Sequence, residues 1–291
     1  MTPQCVCAVI VTFHPSTNVV ENLRRVFAQV PALVVVDNGS SPEEIDPIRR
    51  ESRALGFELI ENPENLGVAE ALNQGVRWAR GKDHPWLILF DQDSAVTENF
   101  LDHMLASWQI HPHRERVGSI YPRYVDPQTG VEAAVPRASD GSPLLPMTSG
   151  SLMPAWIFDK IGWFASEYFI DLVDWEYAFR IRAAGYLVAD AKQARLFHAP
   201  GNPAKTRVLG RTFHTTHHSP LRHYYIARNS IAFYRKYCFL FPWWILKVIY
   251  RQLRDTAMSL IAEEDRALKL RSFLHGTLDG LIGRMGKRDE L

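Results

Sequence analysis

The 291-residue sequence predicts an α/β fold built on a mostly parallel sheet, and three short apolar runs carry that reading: "CAVIVTF" (7–13), "ALVVVDN" (32–38) and "WLILFDQD" (86–93). Each is rich in β-branched residues and does not alternate, the pattern of strands buried on both faces. Between them, "NVVENLRRVFAQV" and "VAEALNQGVRWAR" have the composition of crossover helices. Ligands of such sheets bind outside the carboxyl ends of the strands. At that edge the three runs end in polar residues: Thr12 and His14, then Asp37, Asn38 and Ser40, then Asp91 and Asp93.

The remaining elements follow in chain order. The stretch 121–150 is rich in Pro, Gly and Ser and fits strands joined by loops. "YFIDLVDWEYAFRIRAAGY" is an acidic start to an amphipathic helix that stops near Gly185. A further helix begins at Ser219, the N-cap, with Pro220 at its first position, and carries Arg222, Arg228 and Arg235. The run 238–250, "CFLFPWWILKVIY", is too short and too interrupted by Pro242 and Lys247 to span a bilayer; it reads as a buried helix or as a Trp-bearing surface that touches lipid headgroups.

Composition excludes several classes. With 46% hydrophobic and 22% charged residues the chain builds a substantial core. A net charge of +1 argues against a nucleic-acid partner. Three cysteines, Cys5, Cys7 and Cys238, fit a reducing compartment, and "MTPQCV" lacks the features of a signal peptide, so a cytoplasmic protein is expected. The terminal "KRDEL" is read as coincidence in the absence of such a signal. Neither G-x-G-x-x-G nor a Walker A string occurs, so phosphate must be handled by other means, and a divalent cation held by carboxylates is the candidate.

An ordered series of motifs, "VIVTFH", "VVVDNGSS", "ENLGVAEALNQG", "LFDQDS", "TSGSL", "DLVDWEYAFR" and "FHAPG", resembles the family 2 glycosyltransferases over residues 7 to 235. The string "DQDS" and the segment "PLRHYYIARN" are most similar to bacterial rhamnosyltransferases. The resemblance implies the glycosyltransferase A-type fold, a Rossmann-like, mostly parallel sheet flanked by helices, with a C-terminal helical extension. It divides the chain into a nucleotide-sugar-binding half (1–95), an acceptor-binding and catalytic-base half (96–215) and the extension (216–291).

It also implies roles. Asp93 would bind Mg²⁺ or Mn²⁺, and Asp91 would reach the ribose or the metal through water; hard divalent ions prefer such oxygen ligands. Asp37 would accept the ring N–H of a uracil or thymine, or else simply form an Asx turn before Gly39. Thr12 and Asn65 would be weaker nucleotide contacts. The base that deprotonates the acceptor hydroxyl falls on Asp174, with Glu176 as its acidic neighbour, or on Asp171 one turn away, because Val173 stands where the family often has Glu. His198, three residues before Gly201, is a third metal ligand, a cation that stabilises the leaving phosphate, or a structural hydrogen-bonder. The His-dense "TFHTTHHSPLRHYYIARN" matches no zinc spacing and is read as a mobile loop that sets Arg222 and Arg228 on phosphate oxygens, with Tyr225 packing nearby.

The function implied is inverting transfer of L-rhamnose from dTDP-β-L-rhamnose to a hydroxyl of a polysaccharide, lipopolysaccharide or glycolipid acceptor. Two alternatives stay open: the same fold with a UDP- or GDP-sugar donor, and a non-catalytic nucleotide-binding scaffold. The expected location is cytoplasmic, with peripheral contact at the inner face of the membrane through 238–250.

Overall fold

In the computed structural model, which describes residues 3–198, 204–208, 211–215 and 218–288, the chain divides into two compact units. The first comprises Met1–Ser166 and Val173–Ala199, the second Glu167–Leu172 and Pro200–Leu291.

The first unit contains β1 (Val6–Thr12), α1 (Val19–Phe27), β2 (Ala32–Asp37), α2 (Pro42–Leu55), β3 (Glu58–Glu61), α3 (Val68–Gly81), β4 (Trp86–Asp91), β5 (Ala95–Val96), α4 (Phe100–Gln109), β6 (Val117–Val125), β7 (Ser151–Pro154), α5 (Ile157–Ile161), α6 (Val173–Ala183) and β8 (Leu187–Phe197). Its eight-stranded sheet has the order β3-β2-β1-β4-β7-β6-β8-β5. The expected parallel strands β2, β1 and β4 lie side by side, and β3 extends them in parallel. Beyond β4 the sheet is mixed: β7 runs antiparallel to β4 and β6, β6 and β8 are parallel, and β5 closes the edge antiparallel to β8.

All seven residues of β1 are buried, which is why its run never alternates. On one face α3 comes so close that a Cβ on Gly75 would lie 2.3 Å from Val9 Cγ1, so no side chain fits there. Helix α2 was not anticipated in sequence, yet its signals are present: Ser41 and Glu44 form a capping box, Pro42 opens the first turn, and Gly56 ends the helix at φ +79°.

The second unit contains the hairpin β9 (Ala204–Val208) and β10 (Arg211–Thr215), followed by α7 (Pro220–Tyr237), α8 (Pro242–Ala262) and α9 (Arg266–Ile282). The expected mobile loop therefore gives way to strand backbone over 211–215 and helix from Pro220. Ser219 caps α7 by accepting the Arg222 N–H. Helix α9 packs on α7 through Gly276 and Gly280, where added Cβ atoms would lie 2.2 Å from the Tyr224 carbonyl oxygen and 2.7 Å from that of Arg228.

The same unit includes the turn 167–172, where Phe169, Asp171 and Leu172 all have positive φ (63°, 65° and 61°). Left-handed backbone at three such residues is strained and must be held from outside. Two α7 residues hold it. Buried Asn229 donates through Nδ2 to the carbonyls of Tyr168, Ile170 and Asp171, and Arg228 donates through Nη2 to those of Glu167 and Tyr168.

Candidate active site

Strand register assembles the first part of the site. Thr12 pairs with Asp37 across β1 and β2, and Val11 with Asp91 across β1 and β4, so the polar ends of three parallel strands share one edge. The second part comes from the far side of the sheet. Antiparallel pairing of Ala95 with Phe197 carries Asp93 and Ser94 alongside His198, at the end of β8. One ligand atom each of Asp91, Asp93 and His198 then lies within 4.8 Å of the others.

The glutamine between the two aspartates is a clamp. Its side-chain amide accepts from the Phe13 N–H (2.8 Å) and donates to the Phe13 carbonyl (3.0 Å), while its own carbonyl accepts from Asn22 Nδ2 (3.1 Å). Gln92 thus ties the acidic turn to the end of β1 as a paired strand would. Beneath the turn runs a buried polar chain. The Asp91 N–H donates to Ser149 Oγ, which lies 2.6 Å from Ser94 Oγ, itself 3.0 Å from His198 Nδ1. His198 Nδ1 is also 3.6 Å from Asp93 Oδ1. A serine on Nδ1 fixes the ring's orientation, as groups behind metal-binding imidazoles do.

Tyr124 closes this floor. Its hydroxyl donates to the carbonyls of Met147 and Ser149, and its ring meets His198 edge-on at 6.1 Å. Burial holds the Tyr124 phenol protonated well above its ordinary range, and the neighbouring Tyr121, Asp174 and Asp91 push the same way. Asp174 and Asp91 therefore both act electrostatically on one phenol. Asp174 sits in the first turn of α6, its Oδ1 accepting the Trp175 N–H at 2.9 Å.

The other expected residues divide by environment. Asp37 is 2% exposed and takes four hydrogen bonds: Oδ1 from the hydroxyls of Thr12 and Ser40, Oδ2 from the N–H groups of Gly39 and Ser40. The Asx-turn reading describes it as it stands, with Gly39 at φ +91° pressed against the backbone of Glu64. Asn65 Oδ1 accepts from Asn38 Nδ2 and the Gly67 N–H, shaping the loop before α3. Asp171 is bound through both oxygens to the Arg222 guanidinium, with Nη2 to Oδ1 at 2.5 Å. Glu176 is fully buried and forked onto Arg180.

Arg228 lies within the second unit, on α7. It is 1% exposed, its donors bond Asn229 Oδ1 and the carbonyls of Gly286, Glu167 and Tyr168, and its guanidinium lies 4.7 Å from the Tyr225 ring centroid. Those contacts make it a group that holds the turn. The sequence reading assigned no role to Gln92, Ser94, Ser149 and Asn229; Gln92 and Ser94 lay inside the quoted acidic motif, and all four act through partners remote in sequence. Gly201 and His217 lie outside the described residues.

The mixed sheet with its four-stranded parallel half has the arrangement of the glycosyltransferase A-type fold, and an Asp-x-Asp turn and a histidine meet at its carboxyl edge. Residues 7–147 match the family model "Glycosyl transferase family 2". Over 295 aligned residues it is 26% identical to the dTDP-rhamnosyl transferase RfbF of Shigella flexneri, covering 96% of each chain. Among solved structures it is similar to the mannosyltransferase PcManGT from Pyrobaculum calidifontis in complex with GDP-Man and Mn²⁺ (TM-score 0.61, 14% identity, 97% of this chain and 89% of that one). It is also similar to S. aureus TarS 1–349 in complex with UDP-GlcNAc (TM-score 0.53, 12% identity, 98% and 73%).

Proposed function

We propose that the protein is an inverting rhamnosyltransferase that uses dTDP-β-L-rhamnose and a divalent cation to glycosylate a hydroxyl of a polysaccharide, lipopolysaccharide or glycolipid acceptor at the cytoplasmic side of a membrane. The observation that carries the catalytic part is the convergence of Asp91, Asp93 and His198. The donor assignment is supported by end-to-end similarity to a dTDP-rhamnosyl transferase.

Two carboxylates and one imidazole fit Mg²⁺ or Mn²⁺, with Asp93, Asp91 and His198 as the holding residues. Such a cation, when bound, neutralises the charge that builds on the departing diphosphate. The chain's own groups do the rest. Gln92 keeps the two carboxylates on the strand edge, and the Ser149 to Ser94 chain keeps the imidazole turned toward them. Thr12, Asp37 and Asn65 form the floor of the nucleotide site.

Asp174 takes the proton of the acceptor hydroxyl as that oxygen bonds to the anomeric carbon and the bond to the diphosphate breaks on the opposite side, which inverts the centre. Asp171 suits this role less well, because both its oxygens already serve the Arg222 guanidinium. Incubation with dTDP-β-L-rhamnose, UDP-sugars and GDP-sugars, each with Mn²⁺ and a membrane extract as acceptor, should release nucleoside diphosphate only from the dTDP donor. Preferential turnover of a UDP- or GDP-sugar would reassign the donor, and no turnover of any would favour the non-catalytic scaffold.

A further inference from the structure

Exposed large apolar side chains are distributed unevenly in this protein. Among the described residues the first unit shows only Phe13, Ile110 and Val131, whereas the others fall in the second unit, most of them from Phe239 onward. The densest set is Phe239, Leu240, Trp243, Leu246, Tyr250 and Leu253, with exposures from 56% to 94%. From Trp243 to Leu253 the spacing is three, four and three residues, which is one stripe along α8. The opposite side of α8 is occupied: Ile245 and Val248 are buried, and Gln252 Oε1 accepts from the hydroxyls of Ser230 and Tyr234 on α7. Helix α8 thus has one face packed and the other bare.

We infer that the bare face of α8 is a docking surface for an anionic lipid bilayer, on which the helix lies flat. Three features select lipid as the occupant. Lys247, Arg251 and Arg254 flank the stripe against a single acid on the helix, Asp255, and the segment 239–288 holds nine Lys and Arg against five Asp and Glu in a chain whose net charge is only +1. Basic residues beside an apolar stripe complement acidic headgroups. Trp243 and Tyr250 carry apolar rings with a polar edge, which suits the headgroup boundary. A second copy of the chain pairing through this face would bring the same basic flank against itself. Among the described residues no helix is long and apolar enough to cross a membrane, which is consistent with a face that lies in the interface rather than spanning it.

The inference deepens the proposed function and rests on it for purpose, since a lipid-linked acceptor would be met at that surface. The two are tested separately. The full chain is sedimented with vesicles of phosphatidylcholine alone and with about 30% phosphatidylglycerol, a fraction set to give an anionic surface. Binding to the anionic vesicles, weakened by high salt, is the expected result. The double substitution Trp243→Asp, Leu246→Asp should abolish it, and Lys247→Glu, Arg251→Glu should weaken it ~10-fold or more. Both variants should keep the nucleotide-dependent thermal shift of the wild type, which reports on the first unit and shows that the chain is folded. Absence of wild-type binding, or equal binding by the Asp variant, would overturn the inference. So would a wild-type dimer in sedimentation velocity that the Asp substitutions convert to monomer without any vesicle binding, since that outcome assigns the face to a second copy. Failure of the nucleotide shift with vesicle binding intact would strike the donor reading alone.

Discussion

At the scale of single residues, function rests on side chains whose work depends on what lies behind them. Asp93 is the most exposed of the three convergent ligands, and its carboxylate is the one least engaged in holding the fold. Asp93→Ala should lower turnover by ~100-fold or more while leaving the melting temperature of the unliganded protein nearly unchanged, because exposed side chains contribute little to stability. Initial rates and a thermal melt check both halves; wild-type rates would remove Asp93 from the mechanism. Asp174→Asn should retain donor binding and lose transfer by ~10²- to 10⁴-fold, the range expected for loss of a general base. If Asp171→Asn behaves that way and Asp174→Asn does not, the base is Asp171. Much of this was legible in sequence, because aspartates at strand ends are read from local pattern alone. Gln92 was not: its amide looks like an ordinary turn residue until β1 places Phe13 opposite it. The partners of Arg228 were equally hidden, since a guanidinium's contacts are set by tertiary structure, here carbonyls of the turn 167–172 and of Gly286.

At the scale of elements, the parallel strands were readable because burial on both faces leaves an unbroken apolar run. Strand β3 was not, as its four residues are all exposed or half-buried and two of them are glutamates. Nor could sequence show the pairing of Ala95 with Phe197, about a hundred residues apart, although that pairing delivers His198 to the aspartates. The strained turn before α6 is held by α7, so Asn229→Ala should cost about 1–3 kcal/mol, the penalty for leaving buried carbonyls without donors. Chemical denaturation of the full chain measures it, and an unchanged midpoint would show that the turn does not depend on this amide. The first turn of α7 and the residue before its cap also make a pH dependence. Burial depresses His218 to about 4 and lowers His223; the Arg222 charge adds to the effect on His218, while Asp171 and Glu263 oppose it. Between about pH 4 and the unfolded value near 6.5 the unfolded chain therefore binds more protons than the folded one, so stability rises with pH across that window. Melting of the second unit should shift upward from pH 5 to pH 7, and the His218→Gln variant should show a smaller shift.

At the scale of the whole molecule, each compact unit has its own proposed task. The first unit presents the strand edge with Thr12, Asp37, Asp91, Asp93 and His198. The second holds the turn that carries Asp171 immediately ahead of Asp174 in the chain, and offers the bare face of α8. The strand edge is proposed to bind a dTDP-linked donor together with a divalent cation. Thermal stabilisation by dTDP, UDP and GDP, each with and without Mn²⁺, tests it most directly, because a ligand that binds only the folded protein raises its melting temperature by mass action. The expected result is a shift with dTDP that requires Mn²⁺ and disappears in Asp93→Ala. A shift of equal size without the metal, or none with any of the three nucleotides, would contradict the claim.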